Sequence, residues 1–525
     1  MTAALALVFL PGLVPARSIA AVDTTDTVDT ADTIIPEHGK YTPAYMSDWA
    51  KLPTGDKIPR RNAADIEFET VTGESARKEW AHQEKVHLAD LRLRVAWDAK
   101  KSNKKNTTLF HVLDCKEVII ENLAIIQGDP DFRGYHTISV EGADRVIIRN
   151  LYLAGTVQSH HLRLEGCKDI LIDNVEIAGI DYVGNGKTRA GGGIWINNGA
   201  TGTASSPMGL TGLWMPPGHV RLPGWQIVQN CWFHDALESD GGDWRNQDAL
   251  LIHHPGNGAL FNCVVENWFH PSMDGGFDLS YRRAEPEYQD RFFRIERNIV
   301  RNVTFGTKTP GYSPGPNVLF FANNLFVNSL LAEYHNGAAN DTYYVHNTYI
   351  YDTDQAPPAL RDMALRGSSG YASLWSYRAL SVLSNSLLYK PAGQFTLFYG
   401  NHMGEPDKYL YLKHDYNVYA LGSANPVWYR NFSDGVKFRT LDDWRKATGT
   451  DGHSALVNAS AVQFVEYAKS DYRLRANPAP SPETLTTRYL KPSDARMRVD
   501  RDFYGKPRSD SGTAGLSPGA FCVEK

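Results

Sequence analysis

The sequence predicts an all-β protein that winds as a parallel β-helix, and two observations support this fold. First, ten short apolar runs end on an asparagine and then resume with apolar or aromatic residues, as in Val118-Ile-Ile-Glu-Asn122-Leu-Ala-Ile. Second, most intervals between neighbouring copies are 23 to 38 residues long, which is a repeat signature. Stacked on one another, such units form a solenoid that displays a long groove suited to a polymer.

Each copy predicts two short strands that meet at a tight bend, because Val, Ile and Leu alternate on both sides of the asparagine. Asparagine suits the bend, since it tolerates the left-handed conformation and its amide can bond neighbouring backbone. We therefore expect an asparagine ladder. The 56 residues from Asn174 to Asn230 are the exception, and they hold either an unrecognised coil or a long insertion. The predicted ladder positions are Asn122, Asn150, Asn174, Asn230, Asn262, Asn298, Asn324, Asn347, Asn385 and Asn417.

The chain around these coils divides into five predicted segments. The apolar stretch 3–16, followed by small residues, is typical of a signal peptide, so we expect a secreted protein. Residues 75–91 are expected to form a helix that covers the exposed edge of the first coil. The glycine-rich stretch 180–222 is expected to be a loop excursion that either contacts ligand or is mobile. The predicted segments are a signal peptide 1–21, a Thr/Asp-rich linker 22–35, an N-terminal capping segment 36–105, the parallel β-helix catalytic domain 106–470 and an irregular C-terminal cap 471–525.

Composition excludes several classes of partner. Apolar residues make up 42% of the chain and charged residues 22%, which is ordinary for a soluble globular protein. The net charge is −5 and no long basic stretch occurs, so nucleic-acid binding is not expected. No apolar run after the first twenty residues is long enough to span a membrane. We expect a monomer without a nucleic-acid partner and without membrane insertion.

The five cysteines do not form a disulfide framework, because their number is odd. Cys231 and Cys263 each directly follow a ladder asparagine in neighbouring coils. Their separation is then expected to be about 4.8 Å, the distance between adjacent strands. This separation permits a disulfide and equally permits two stacked buried thiols.

The densest group of candidate functional residues lies between residues 240 and 308. Asp248, Asp274, Asp278 and Lys308 each lie 10–18 residues beyond their own ladder asparagine. Because similar offsets place residues of neighbouring coils on one face, we expect these four side chains to gather. Three carboxylates together favour a hard cation, most naturally Ca²⁺. The alternative is that these Asp and Gly residues only form turns.

The residues around this group suit an acidic polysaccharide, because arginine binds carboxylates bidentately and tyrosine can stack on sugar faces. Arg282 and Arg283 equally suit surface ion pairs with nearby glutamates. Two histidine pairs, 160–161 and 253–254, are weaker candidates, because adjacent residues of a strand face opposite sides. The predicted substrate-binding residues are Arg282, Arg283, Arg301, Tyr312, Tyr334 and His335.

Several segments of this region share a recognisable pattern: Gln247-Asp248-Ala, Asn262-Cys-Val-Val-Glu-Asn267, Met273-Asp-Gly-Gly-Phe-Asp278, Gly306-Thr-Lys308 and Ala322-Asn-Asn-Leu-Phe-Val-Asn328. They resemble family 9 of the polysaccharide lyases, which are pectate-lyase-like right-handed parallel β-helices. The resemblance is strongest over roughly residues 225–350. It implies a right-handed coil in this chain as well.

The resemblance also implies roles for the candidate residues. Asp248, Asp274 and Asp278 would bind Ca²⁺, and Lys308 would be the Brønsted base. The family has adjacent aspartates before its Gly-aromatic-Asp sequence, whereas this chain has Asp274 followed by two glycines. Asp240 or Asp243 would then supply the missing carboxylate.

We therefore expect a secreted polysaccharide lyase that cleaves a uronic-acid-containing polysaccharide by β-elimination. This reaction removes the C5 proton beside a carboxylate, and a metal ion or a cationic side chain must neutralise the developing charge. A lysine base must be partly neutral, which aspartates alone disfavour, so Lys308 requires Ca²⁺ or arginines nearby. Two alternatives stay open: a β-helical glycoside hydrolase with Asp274 and Asp278 or Asp248 as acid and base, and a non-catalytic glycan-binding or adhesin solenoid.

Overall fold

The structure is a computed structural model, and strands dominate the residues that it describes. These residues are 66–97, 107–127, 135–180, 191–197, 224–237, 248–269, 275–280, 291–311, 317–337, 341–352, 354–363, 370–374, 381–392, 396–400, 412–422, 427–431, 435–478, 495–497, 499, 501–508 and 519–523.

The first part of the chain contains the strands β1 (Glu69–Thr72), β2 (Lys78–Ala81), β3 (Lys85–Ala89), β4 (Arg92–Ala96), β5 (Phe110–Leu113), β6 (Glu117–Glu121), β7 (Ala124–Gln127), β8 (Ile138–Glu141), β9 (Arg145–Gly155), β10 (His160–Glu165), β11 (Asp169–Ala178), β12 (Gly192–Asn197), β13 (Trp225–Gln229), β14 (Trp232–Leu237), β15 (Leu250–His253), β16 (Asn257–Phe261) and β17 (Val264–Phe269). The second part contains β18 (Phe277–Ser280), β19 (Phe292–Glu296), β20 (Ile299–Gly311), β21 (Val318–Ala322), β22 (Leu325–Gly337), β23 (Asp341–Val345), β24 (Thr348–Ile350), β25 (Gly370–Leu374), β26 (Ser381–Ser384), β27 (Leu387–Lys390), β28 (Thr396–Gly400), β29 (Leu412–Asp415), β30 (Val418–Leu421), β31 (Val427–Asn431), β32 (Gly435–Phe438), β33 (Ala455–Asn458), β34 (Phe464–Glu466) and β35 (Asp471–Leu474). The α-helices are α1 (Gly73–Ala76), α2 (Pro358–Met363) and α3 (Leu441–Thr448), and 3₁₀ turns cover Ala459–Ala461, Tyr467–Lys469 and Ala495–Met497.

Parallel pairing arranges the strands on three faces, which confirms the predicted parallel β-helix. Each coil contributes to face A, then face B, then face C, and the long strands β9, β11, β20 and β22 each turn from one face to the next. Face A comprises β2, β5, β8, β10, β12, β15, β18, the second halves of β20 and β22, β25, β28 and β31. Face B comprises β3, β6, the first halves of β9 and β11, β13, β16, β19, β21, β23, β26 and β29. Face C comprises β1, β4, β7, the second halves of β9 and β11, β14, β17, the first halves of β20 and β22, β24, β27, β30 and β33.

The core is built from columns of aliphatic side chains that repeat from coil to coil. On face B, Ile120 pairs with Ile148, and Ile148 pairs with Ile172 in the next coil. All three side chains are fully buried. Because register fixes which side of a strand faces inward, each such column also fixes which residues face outward.

The long interval in the repeat is an insertion rather than a missed coil. Strand β11 pairs directly with β13, with Ile170 opposite Gln226, so Asn174 and Asn230 belong to neighbouring coils. The predicted loop excursion 180–222 nevertheless contains β12, which pairs with β10 on face A. The prediction of a loop-rich excursion did not include this strand at residues 192–197.

An outer asparagine ladder follows the bend between faces B and C, as predicted for the earlier coils. Asn122, Asn150 and Asn174 have φ angles of 54° to 58°, in the left-handed region. Asn150 Nδ2 donates to Asn122 Oδ1 at 3.2 Å, and Asn174 Nδ2 donates to Asn150 Oδ1 at 2.8 Å. The same bond joins Asn262 to Asn230 at 2.6 Å.

Later coils depart from this prediction, because four of the predicted asparagines do not occupy the left-handed position. The preceding residue takes the positive φ, and the asparagine lies one step inside the coil. Asn298 Nδ2 donates to Asn324 Oδ1 at 3.0 Å, and Asn324 Nδ2 donates to Asn347 Oδ1 at 3.0 Å. These three residues are fully buried and form an inner ladder. The left-handed residues of these coils are Arg297, Asn323, His346 and Tyr416, which precede Asn298, Asn324, Asn347 and Asn417.

Of the two alternatives for Cys231 and Cys263, a disulfide or two buried thiols, the structure has the buried thiols. All five cysteines are free. Cys231 and Cys263 are fully buried, and they occupy the same inner position of the bend in the two coils before that of Asn298. The Cys263 N–H donates to Asn298 Oδ1 at 2.8 Å. Burial, and then the neighbouring Cys263, raise the pKa of the Cys231 thiol well above its usual value.

The N-terminal prediction of a helix over residues 75–91 is wrong. Strands β2 and β3 occupy most of this segment and pair with β5 and β6, so the β-helix begins well before the predicted residue 106. The buried residues Val86 and Leu88 alternate with less buried ones, which is the period of a strand rather than a helix. Among the described residues, the one helix before these strands is the four-residue α1, where Gly73 lies against the Trp97 ring.

The C-terminal residues run along the side of the coils as a strap, which comprises residues 495–508 and 519–523 where described. Met497 belongs to an apolar cluster with face B residues, and Phe503 and Phe521 belong to an apolar cluster with face C residues. Arg508 Nη2 donates to Asn323 Oδ1 at 2.6 Å. The strap therefore covers apolar side chains on faces B and C.

Among the described residues, no helix is both long and apolar enough to cross a membrane. The predicted signal peptide and linker, 1–35, lie outside the described residues.

The inner ladder should contribute more stability than the outer one. In Asn324→Ala, the buried partners Asn298, Asn347 and the Ile295 carbonyl lose hydrogen bonds. Each group left unsatisfied costs about 1–3 kcal/mol, so the free energy of unfolding should fall by at least that amount. Denaturant titration measures this change.

The matched control is Asn122→Gly at the exposed start of the outer ladder. Glycine adopts the left-handed conformation without strain, so this variant should stay within about 0.5 kcal/mol of the parent. Equal losses in both variants would show that the inner ladder has no special role.

Candidate active site

Asp278 and Lys308 are neighbours on face A. Asp278 of β18 lies directly opposite Lys308 of β20 in the parallel register. Phe277 and Leu279 on either side of Asp278 are core residues, so the Asp278 side chain faces outward. Asp248 lies two residues before β15, in the preceding coil. Three different coils therefore supply the three groups.

The Lys308 ammonium lies between two carboxylates. Its Nζ is 2.8 Å from Asp248 Oδ1 and 3.5 Å from Asp278 Oδ2. The Asp248 side chain is fully buried, the Asp278 side chain is 5% exposed and the Lys308 side chain is 10% exposed. The sequence prediction that these groups gather is correct for this trio. Two carboxylates share one ammonium, so the trio carries a formal charge of −1.

Two glycines allow the close approach of the strands that carry the trio. A Cβ on Gly276 would lie 2.3 Å from the Gly306 carbonyl oxygen, and one on Gly275 would lie 2.6 Å from the Phe305 carbonyl oxygen. The Gly275 N–H also donates to Asp248 Oδ1 at 3.0 Å. The Gly-Gly pair that separates Asp274 from Phe277 is therefore required by backbone packing at the site.

The remaining predicted site residues fall into three groups. Tyr334 and His335 lie in β22, in register with Lys308 and Thr309, so the backbone places them on the next rung of the site. Arg301 lies on face C, where it forms an ion pair with Glu266, and it is not brought together with Lys308. Asp274, Arg282, Arg283 and Tyr312, together with Asp240 and Asp243, lie outside the described residues.

The histidine pairs do not provide a base near Lys308. His160 and His161 are buried, and burial lowers their pKa to about 3 and about 4 respectively. Both imidazoles are therefore neutral at pH 7. His253 and His254 are also buried, and His254 takes the left-handed turn position after β15.

Sequence reasoning missed two residues of face A, Arg163 and Trp195, which lie opposite each other in β10 and β12. Trp195 follows three consecutive glycines, and this composition led to the loop prediction. A Cβ on Gly192 would lie 2.4 Å from the His160 ring, so this glycine leaves room for that ring. The alternation Ile194-Trp195-Ile196 was the available signal for a strand.

In the part of the chain that the structure describes, no group of three or more His, Cys, Asp or Glu side chains is arranged to hold a metal ion. Asp248 and Asp278 supply two buried carboxylates with excess negative charge, which suits a hard cation. Ca²⁺ takes six to eight oxygen ligands, so these two residues alone would not complete such a site.

Comparison with known proteins gives no match: neither a family model nor a curated protein resembles the sequence.

Gly276→Ala should disturb the site through the backbone. The added Cβ must displace the Gly306 carbonyl, and overpacking of this kind costs about 1–3 kcal/mol. We expect a lower thermal unfolding midpoint. Gly452→Ala is the control, because a Cβ there meets nothing within 4 Å. An unchanged midpoint for Gly276→Ala would mean that the two strands are further apart than described.

Proposed function

We propose that the protein is a polysaccharide lyase that cleaves a uronic-acid-containing polysaccharide by β-elimination, with Lys308 as the Brønsted base. One observation carries this proposal: an outward-facing lysine is held by Asp248 and Asp278 on one face of a parallel β-helix. The resemblance of segments around these residues to family 9 of the polysaccharide lyases supports the same reaction.

The geometry suits proton abstraction at C5 of a uronate. The Lys308 side chain is 10% exposed, and the strands on either side of it continue the parallel stack of face A. The two carboxylates fix the amine in position through charge-assisted contacts. A positioned base of this kind contributes typically about 10²–10⁴-fold to the rate.

Lys308 can act as a base only after the influence of its carboxylates is reduced, because both stabilise the ammonium form. Asp248 and Asp278 are the described residues that would hold Ca²⁺, and we propose that Asp274 completes the site. When bound, Ca²⁺ would offset the charge of these aspartates and of the substrate carboxylate. The aspartates would then orient the amine while favouring its charged form less.

The hydrolase alternative fits the geometry less well. Lys308 Nζ contacts both aspartates, and the sum of the two distances is below the roughly 6.5–9.5 Å that separates the carboxyl groups of inverting enzymes, although it permits the roughly 5–5.5 Å of retaining enzymes. A hydrolase also needs one protonated carboxyl group, whereas an ammonium in contact with both favours two carboxylates. The alternative of a non-catalytic glycan-binding solenoid predicts binding without cleavage products, whereas a lyase yields unsaturated products.

We also propose that the protein is secreted and acts as a monomer. The apolar segment 3–16 with the small residues after it supports export. A polymer outside the cell is a substrate that such a protein can reach.

Lys308→Ala should abolish elimination. We expect the rate on the preferred acidic polysaccharide to fall by about 10²-fold or more, since the base is lost. Ultraviolet absorbance of the unsaturated product measures the reaction. Lys116→Ala is the control, because Lys116 is an exposed lysine paired with Glu84 at a distant coil. Full activity of Lys308→Ala would refute the assignment, and cleavage without unsaturated ends would favour a hydrolase.

Calcium removal tests the cofactor separately from the reaction. After treatment with a chelator, activity should disappear and should return with Ca²⁺. Asp278→Asn should raise the Ca²⁺ concentration needed for half-maximal activity, because one carboxylate ligand is lost. Undiminished activity in chelator would rule out the calcium proposal while leaving Lys308 as the base.

A further inference from the structure

A single outward-facing column connects the proposed site to Trp195. In the parallel register of face A, Lys308 lies opposite Asp278, Asp278 opposite Leu251, and Leu251 opposite Trp195. Three strand spacings of about 4.8 Å separate Trp195 from Lys308, so the distance along the coil axis is roughly 14 Å. Trp195 and Lys308 therefore lie on one outward-facing column of face A, with the buried residues Leu251 and Asp278 between them.

Trp195 presents carbon rather than nitrogen to its surroundings. The side chain is half-buried, yet its indole Nε1 is buried and has no hydrogen-bond partner. His160 and His253 support the ring, with centroid distances of 5.4 and 6.0 Å. The exposed part of the residue is therefore an aromatic hydrocarbon surface held from two sides. Such a surface suits the C–H face of a sugar ring.

The charges around Trp195 do not favour a uronate there in addition to the one that is cleaved at Lys308. Arg163 lies 5.8 Å from the ring centroid, and Glu141 and Glu165 both pair with its guanidinium. Although burial opposes its ionisation, His111 and Arg163 lower the pKa of Glu141 to about 2. Burial lowers the pKa of His160 to about 3, so that ring adds no positive charge at pH 7. Among the described residues around Trp195, two carboxylates thus offset the one guanidinium, which does not favour an anionic sugar there.

We propose that Trp195 is a stacking subsite for an uncharged sugar residue of the same polysaccharide whose uronate is cleaved at Lys308. This inference rests on the proposed function and narrows its substrate class. The substrate carries uncharged sugars as well as uronates, rather than being a homopolymer of uronate. Trp195 binds the sugar and takes no part in the chemical step.

Binding to the inactive Lys308→Ala protein tests this subsite without requiring catalysis. Affinity electrophoresis would use two homopolymers, polygalacturonate and polyglucuronate. It would also use two polymers in which uronate alternates with an uncharged sugar, the rhamnogalacturonan I backbone and hyaluronan. We expect tighter binding to at least one alternating polymer than to the homopolymer of the same uronate.

Substitutions at Trp195 in that background identify the residue. Trp195→Ala should weaken binding of the alternating polymer about tenfold, the size of one lost aromatic contact. Trp195→Phe, which keeps a flat ring, should retain most of the affinity. Trp195→Leu keeps apolar volume without a flat ring, so the comparison of Leu with Phe decides the question if the Ala variant does not fold.

The possible results separate the two proposals. Unchanged binding in Trp195→Ala and Trp195→Leu, a preference for homopolymers, or no binding to any of the four polymers would overturn the subsite. If Trp195 substitutions weaken binding but the wild-type protein yields no unsaturated product, the subsite stands and the lyase proposal fails.

Discussion

The constraint on which the structure depends is the register between successive coils. Hydrogen-bonded columns of side chains at the bends, the outer and inner asparagine ladders, hold each coil directly over the next. A shift of one residue would exchange inward and outward side chains on every strand. The buried amides of the inner ladder bond to the equivalent amide of the next coil and to backbone carbonyls of the preceding coil, so a shift would leave them unsatisfied. Buried side chains therefore maintain the register together with the exposed asparagines of the outer ladder.

This register assembles the candidate site from residues that are far apart in sequence. Asp248 and Lys308 are separated by 60 positions, yet their side chains meet because β15, β18 and β20 stack without offset on face A. The same stacking puts Trp195 on the line of Asp278 and Lys308. The C-terminal strap packs on faces B and C, whereas the residues of the candidate site lie on face A. Long loops between regular strands can then vary without disturbing the columns.

Much of the fold could be predicted from the sequence, because a parallel coil needs alternating aliphatic residues and a left-handed bend, and both leave local patterns. The gathering of Asp248, Asp278 and Lys308 followed from their similar offsets of 10–18 residues beyond the ladder asparagines. The inner ladder could not be predicted in this way, because Asn262 and Asn298 look alike in the sequence pattern. In the structure Asn262 itself takes the positive φ, whereas Arg297, the residue before Asn298, takes it in the next coil. Arg301 was misplaced for a related reason: β20 turns from face C to face A between Arg301 and Lys308. The strand containing Trp195 was not predicted because three glycines precede it, and their close contacts with Val157, His160 and Ala249 are tertiary contacts that the local sequence does not reveal.

The central claim is that the Lys308 amine, positioned by two aspartates, removes the C5 proton of a uronate. Release of deuterium to water from a substrate labelled at C5 tests this claim most directly. The wild-type protein should release one deuterium for each bond cleaved, with a primary isotope effect where proton removal limits the rate, and Lys308→Ala should release none. Cleavage that leaves the deuterium on C5, or release that continues in Lys308→Ala, would contradict it.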